Sequence, residues 1–510
     1  MTPPSTSPTS LLPNNAVDTP GNSPRRRPAW LVTGVLAAAG MAVSLQQTLV
    51  IPLVPVLPEA FDTSPDTASW LLTVTLLSGA VATPVLTRLA DLYGKRRMAL
   101  VAMSVMTLGS LVLAVTTSLV AAMVGRGLQG LAAAIIPIGI SILRDELPPH
   151  RVGFGIALMS TTLGIGGALG LPLSGILYET SGWSSLFWVT GSFTALILVA
   201  VAIGVPESRT RARGSFDLVG ALVLSFALVT LMLFVSKGGS WGWASPVTLG
   251  LLVASVVTFA AWVPSQLRRE TPMVDLRTFS RRPMLLTNVA SVLLTVGMMA
   301  NNLLTIPFVE APEATGHGFG ISVMGAGLVM IPSGLAMVVF APVSGRMLNR
   351  VGGRGTLLVG ALVMAVSYLT RPLLAADVTQ VVVATTLCGI GAAMSFAAMP
   401  VLVMASARPD ETASANGINS LMRSIGMAGA SAGIAALLAG LTTTHVVDGV
   451  ATTHASTSAF TVGFLTCGVL SLVAAVTAAF IPPAAASRRG TTTLGRGIGE
   501  RQRVVGDSAA

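Results

Sequence analysis

Residues 87–98 read "TRLADLYGKRRM". Five of these side chains, Arg88, Asp91, Lys95, Arg96 and Arg97, are charged, in a 510-residue chain that is only 10% charged. Long apolar runs stand on both sides. A soluble domain is nearer a quarter charged, whereas this chain is 52% hydrophobic with mean hydropathy +0.78. About 20 apolar residues between short charged links is the pattern of a helix crossing a bilayer. The quoted stretch is therefore a link between two spans.

Working outward from it, fourteen such runs are read between residues 30 and 481. They lack the alternating pattern of a membrane barrel. The basic residues give the orientation. With the N-terminus in the cytoplasm, all but four of the 30 Lys and Arg fall in the tails and cytoplasmic links, as the positive-inside rule requires. The exceptions are Lys237 and Arg371, read as outer-loop charges, and Arg126 and Arg423, read inside spans. Both termini are expected in the cytoplasm and the protein in the cell membrane. The net charge of +10 then reflects orientation, not a nucleic-acid partner.

The stretch also has an echo. "TPVLTRLADLYGKR" (Thr83–Arg96) and "APVSGRMLNRVGGR" (Ala341–Arg354) match at Pro84/Pro342, Val85/Val343, Arg88/Arg346, Gly94/Gly352 and Arg96/Arg354. "GIALMSTTLG" (Gly155–Gly164) echoes "GINSLMRSIG" (Gly417–Gly426). Both echoes pair a span with the one eight further on. That spacing implies six spans, two inserted spans and six more, a transporter architecture with its site between the two halves. Chance likeness between glycine-rich helices is the alternative. The expected divisions are a disordered cytoplasmic tail at 1–29, a six-helix bundle at 30–208, two inserted helices at 209–270, a second bundle at 271–482 and a cytoplasmic tail at 483–510.

The motifs resemble those of the major facilitator superfamily, in particular its fourteen-helix drug:proton antiporters. The likeness implies an all-α integral membrane fold with pseudo-repeated six-helix bundles. "TRLADLYGKRR" resembles the family's loop signature between helices 2 and 3, with Asp91, Gly94, Lys95 and Arg96 matching and Thr87 in place of the leading Gly. The resemblance implies a conformational latch that favours the outward-open state. A plain positive-inside loop would account for the bases but not for the acid. "RGLQGLAAA" (Arg126–Ala134) resembles the helix-4 signature, in which the Arg is linked to proton transfer. A buried Arg needs a polar cavity and a partner, or must snorkel to the surface. "GIGGALGLPLSG" (Gly164–Gly175) resembles the antiporter signature of helix 5 at Gly166, Gly170 and Gly175, with Pro172 displaced by one position. In the family that feature marks exporters; glycine packing without directionality is the alternative. "SLQQTLVIPLVPVLP" (Ser44–Pro58) resembles the helix-1 signature, with Gln46 where the family usually has Asp.

No acid falls in mid-span, while Arg126 and Arg423 do. A cavity for lipophilic cations needs a carboxylate to offset their charge. This one is expected to prefer neutral or anionic amphiphiles. Glu310, a turn after Pro307, is the membrane-border carboxylate that could couple protons, or else an ordinary interfacial residue; Asp91 is the other titrating candidate, beside Arg126. Gln46, Gln129, Asn301, Asn302, Asn419 and Arg423 are the cavity candidates, although buried amides also bridge helices. Cys388 and Cys467 lie in apolar runs, no metal-ligand spacing is present, and no phosphate-binding loop appears. The expectation is a monomeric, proton-coupled efflux transporter in the lipid bilayer, without cofactor or metal. Proton-coupled uptake is the rival reading; a membrane-embedded receptor or enzyme is poorly supported.

Overall fold

The structure, a computed structural model, describes residues 28–53, 56–208, 210–447 and 450–482. The two expected tails therefore lie outside the described residues, apart from residues 28 and 29. Fourteen longer helices are labelled in chain order. The first six are α1 (Ala29–Thr48), α2 (Trp70–Tyr93), α3 (Lys95–Val115), α4 (Leu119–Gly130), α5 (Ile135–Glu146) and α6 (Pro149–Gly204). Then come α7 (Leu218–Trp241), α8 (Pro246–Arg268), α9 (Arg282–Glu310) and α10 (Val323–Val339). The last four are α11 (Ala341–Thr370), α12 (Val378–Ser406), α13 (Thr412–Gly440) and α14 (Thr457–Ala479). Helices dominate because an apolar surrounding offers the backbone no outside partner, so each segment must satisfy its own N–H and C=O groups.

Labels and spans do not correspond one to one. Helices α4 and α5 are joined by the 3-10 turn Leu131–Ala134 into one apolar stretch, Leu119–Glu146. Helix α6 is broken at Gly182 (φ 73°) and α11 at Gly352 (φ 74°). Among the described residues, twelve helices are long and apolar enough to cross a membrane. Gly352 has a left-handed φ, and so does its sequence match Gly94 (φ 117°). Both halves of the chain thus reverse with the same rare backbone sign, which glycine adopts at little cost.

Four apolar clusters form among the described residues. One joins α9 to α14 through Leu294, Leu304, Phe308, Tyr368, Phe396 and Phe464. Another joins α1, α3, α5 and α6 through Leu36, Met103, Ile138 and Met159. The third closes the end where α1 stops, around Leu49, Leu71, Leu113 and Phe187. Residues 28–208 meet residues 282–482 along α2 and α5 against α13, and along α6 against α10, α11 and α12. Helix α7 packs on both α2 and α13, and shares the cluster of Leu224, Leu228 and Met232 with Leu421. Helix α8 rests mainly on α7 and turns Val247, Val253, Val256 and Val257 outward. An apolar face of that kind suits lipid.

Two basic residues depart from the expected outer loops. Lys237 lies within α7 and is 2% exposed. Its Nζ donates to Ser69 Oγ (2.7 Å) and Asp66 Oδ1 (3.1 Å) and lies 4.9 Å from the Trp70 ring. Arg371, at the end of α11, is 3% exposed and folds back into the second half. Long apolar stems let both side chains reach inward to acceptors, so a position at a span's edge does not fix where the charge sits. A small hairpin was also not anticipated. Strands β1 (Thr442–Val447) and β2 (Val450–Ala455) pair antiparallel between α13 and α14. Their β-branched Thr and Val suit a strand.

Candidate functional site

The site begins with the acid of the opening stretch. Asp91, near the end of α2, is fully buried. A buried carboxylate must find donors, and it finds them on the other half of the chain. Ser414 donates to Asp91 Oδ2 from both N–H (2.7 Å) and Oγ (2.6 Å), and Ala413 N–H donates to Oδ1 (3.1 Å). These are the first free N–H groups of α13, so the carboxylate also meets the positive end of a helix dipole.

Its neighbours extend the contact. Arg88 Nη1 donates to Glu411 Oε1 at 2.7 Å. Lys95, fully buried, donates to Asp145 Oδ2 (2.6 Å) and Thr412 Oγ1 (3.1 Å). Asp145 accepts further bonds from Ser208 Oγ (2.7 Å) and Thr210 Oγ1 (3.1 Å). Arg96 remains within the first half: its N–H donates to Glu207 Oε1 at 3.2 Å and its guanidinium to the Ala202 carbonyl. Gly94 lies against Glu207, whose Oε1 would be 2.7 Å from a Cβ there.

The departure at Thr87 now has a physical account. Its side chain faces Gly417 of α13, where a Cβ would lie 2.2 Å from Thr87 Oγ1. The glycine that permits close approach is on the partner helix. In the second copy the matching residue is Gly345, where a Cβ would sit 2.9 Å from Phe154 Cα. The residue matching Asp91 is Asn349, and it too crosses between the halves, donating to the His150 carbonyl at 3.1 Å. Asp91 meets the start of α13 and Asn349 the start of α6, helices already paired by the sequence echo.

Arg126 is 1% exposed in α4. Its guanidinium donates to Gln46 O (2.9 Å), Gln129 Oε1 (2.8 Å) and Leu71 O (3.3 Å). Gln46 and Gln129 each donate to Ser110 Oγ at 3.0 Å, and Gln46 also reaches Thr194 Oγ1 at 3.0 Å. Asn419 of α13 donates to Ser291 Oγ (2.8 Å) and Asn288 Oδ1 (3.0 Å) of α9. Asn301 of α9 donates to Ser333 Oγ (3.3 Å) and accepts from Arg371. Arg371 also donates to Thr305 Oγ1 (2.7 Å) and lies against the Tyr368 and Phe464 rings. Gln46, Gln129, Asn301 and Asn419 thus all bond inside their own half, although Gln46 Oε1 is buried without a partner among the described residues. Asn302 is exposed, and Arg423 is buried beside Ser420 Oγ (3.3 Å), with its guanidinium 5.3 Å from the Phe396 ring.

The helix-5 glycines pack on α1. A Cβ on Gly166 would lie 2.2 Å from Ser44 Cβ, and one on Gly170 2.0 Å from Thr48 Oγ1. Thr48 Oγ1 donates to the Gly166 carbonyl at 2.8 Å. Pro172 lies in the same helix, and Gly175 has open space beside it. Glu310 ends α9, half-buried, at the end of the molecule opposite Asp91. Sequence reasoning missed Arg371, Asp145 and Glu411 as members of these networks. Glu411 beside an apolar helix start was the available signal.

A helical chain with many spans, internally repeated and hydrogen-bonded across its halves, is a multi-pass membrane protein of the transporter kind. A model of the Major Facilitator Superfamily matches residues 36–431, and again 289–504. The chain belongs to that superfamily: it is a secondary transporter, not an enzyme. It is 29% identical over 367 residues to the tetracenomycin C resistance and export protein of Streptomyces glaucescens, covering 72% of this chain and 67% of that one. It is 28% identical to the multidrug resistance protein Stp of Mycobacterium tuberculosis (78% and 73% covered) and 27% identical to the lincomycin resistance protein of Streptomyces lincolnensis (66% and 69%). The human organic anion transporter MFSD10 has a similar fold, with TM-score 0.65 at 16% identity, covering 88% of this chain and 99% of that one.

Proposed function

We propose that this protein exports a drug, antibiotic or secreted metabolite from the cell in exchange for protons, by alternating access. The observation that carries the reading is the Asp91 carboxylate capping α13 across the two halves. Ionic and hydrogen-bonded contacts between the halves cluster at this end, which supports an outward-facing arrangement with the cytoplasmic side closed. The names of the relatives, resistance and export proteins, favour efflux over uptake.

In this reading the chain has fourteen spans as 6+2+6. Breaking α6 at Gly182 and α11 at Gly352 adds the two spans that length and hydropathy alone leave out, the earlier parts of α6 and of the α10–α11 pair. The bundles are residues 30–208 and 271–482, with residues 209–270 inserted, and both termini are cytoplasmic in the cell membrane of a monomer. Asp91, Gly94, Lys95 and Arg96 form the latch. Protonation of Asp91 at Oδ2 would weaken the two bonds from Ser414, remove the charge and loosen the latch. Glu310 and Arg126 are the other coupling residues. The substrate is a neutral or anionic amphiphile, because Arg126, Arg371 and Arg423 are buried and none has a salt-bridge partner among the described residues.

The test is transport in inside-out vesicles under an imposed pH gradient, paired with a drug-susceptibility panel in an efflux-deficient host. Acid-interior vesicles should accumulate the compounds to which the host becomes resistant. Accumulation driven only by the opposite gradient would establish uptake. Export of ethidium-like cations that depends on a single carboxylate would sink the proposed charge preference.

A further inference from the structure

Helix α7 stands over a seam between the two halves. Helices α2 and α13 pack against each other along that seam, and α7 packs on both. It meets its two neighbours in different ways. Toward the first half it is tied by polar bonds at both ends. At the end away from Asp91, Lys237 Nζ donates to Ser69 Oγ (2.7 Å), Asp66 Oδ1 (3.1 Å) and the Asp66 carbonyl (3.3 Å). Ser236 Oγ lies 3.3 Å from Thr73 Oγ1, and the Trp241 ring lies 6.2 Å from the Trp70 ring. At the other end, the link into α7 is bonded to α2: Ala212 N–H donates to the Asp91 carbonyl at 2.8 Å.

Toward the second half the contact is apolar. Ala221, Leu224, Leu228 and Met232 of α7 recur every three or four residues, as do Ile418, Leu421, Ile425 and Ala428 of α13, and all pack in one cluster. Among the described residues no hydrogen bond or ion pair joins α7 to α13. Hydrophobic attraction has no direction, so two such faces can slide past each other. A buried ammonium, in contrast, leaves its acceptors only at a heavy penalty. The two sides of α7 are therefore built for different behaviour, one fixed and one slipping.

We propose that α7 is a flap carried by the first half: it stays fixed to α2 and slides over α13 as the halves rock, so that the seam between α2 and α13 stays covered. The inference rests on the alternating-access reading above and gives the inserted helices a part in it. Ile418 and Leu421, under α7, follow Ser414 by about one and two turns of α13. Without a cover, parting of α2 from α13 would open a slot to lipid beside the Asp91 contact, where unpaired polar groups are costly. Helix α8 rests mainly on α7 and turns its valines outward, so it travels with the flap.

Paired cysteines test the flap, since both native cysteines are buried. Thr73→Cys with Ser236→Cys joins α7 to α2, and Leu228→Cys with Leu421→Cys joins it to α13, each pair bridged in membrane vesicles by a short, reducible bifunctional thiol reagent. Transport of fluorescein or chloramphenicol, whichever the wild type moves, should stay within about twofold of the unbridged variant for the first bridge and fall about tenfold or more for the second, returning on reduction. Loss with the first bridge, or none with the second, overturns the proposal. Nitroxide labels need no substrate and decide the matter if neither probe is moved. Ser64→Cys on the first half, Ser240→Cys on α7 and Ala439→Cys on α13 are exposed positions. Their pairwise distances are read by pulsed electron resonance with and without Asp91→Asn. The distances from label 439 to labels 64 and 240 should shift together, while the distance between 64 and 240 stays fixed. A shift between 64 and 240 overturns the flap alone. If 64 and 439 keep their distance, the rocking of the halves is what fails, and the flap falls with it.

Discussion

Ser414 donates two hydrogen bonds to one oxygen of Asp91, from its amide at 2.7 Å and its hydroxyl at 2.6 Å, although the residues are 323 positions apart. The two halves of the chain are thus joined through a fully buried carboxylate at a helix start. Asp91→Asn removes the charge and one acceptor. Bonds to a charged group are worth about 1.5–3 kcal/mol, so transport should fall by about tenfold or more. A cysteine at the cytoplasmic seam should become more reactive as the closed state loses population. Wild-type transport and unchanged reactivity would remove the latch.

The Thr87–Gly417 contact makes a steric prediction. Gly417→Ala forces a methyl group to within about 2.2 Å of Thr87 Oγ1, and the seam cannot close around it. Transport should drop severely. Moving the glycine to the other helix, by combining Gly417→Ala with Thr87→Gly, should restore much of it, at about 1 kcal/mol of helix propensity. A double variant no better than Gly417→Ala alone would show that the contact does not limit closure.

Arg371 is held by Asn301 and Thr305 and covered by two aromatic rings. Arg371→Gln should lower the stability of the detergent-solubilised protein by about 2–4 kcal/mol, because two buried acceptors lose their donor. Arg371→Lys should rescue only part, since an ammonium cannot span both acceptors as a planar guanidinium does. Thermal unfolding reports both. A thermal midpoint unchanged in Arg371→Gln would place the side chain outside the bundle.

Asp275 caps the short helix Leu276–Phe279 in the link before α9. Partial burial would raise its pKa, but bonds from Thr278 Oγ1, Thr278 N–H and Arg277 N–H, with the Arg281 charge, outweigh that and hold the carboxyl below its ordinary value. A depressed pKa adds stability above the unfolded value, near pH 4, and loses it as pH falls through the folded one. Asp275→Ala should therefore be less stable than wild type at pH 7, by about 1 kcal/mol, and the gap should narrow below about pH 4. A gap independent of pH would assign the effect to packing.

Much of this was legible from residue order. Apolar length between basic links marks the spans, and an acid among bases marks Asp91, because both signals are local. Facing was not legible. Gln46 and Gln47 are chemically identical neighbours, and only packing decides that Gln46 donates inside its half while Gln47 is left partly exposed. Lys237 and Arg371 sit at span edges, where a long stem allows either direction. The Gly417 that accommodates Thr87 is remote in sequence, and no single helix records that relation.

The paired crossings at Asp91 and Asn349 are alike in place and unlike in chemistry. One is a carboxylate, whose grip a proton can release; the other is an amide, indifferent to acidity. The proposed latch would therefore make a duplicated fold chemically lopsided: acid could loosen its contact at the start of α13 and would leave the one at the start of α6 as it was.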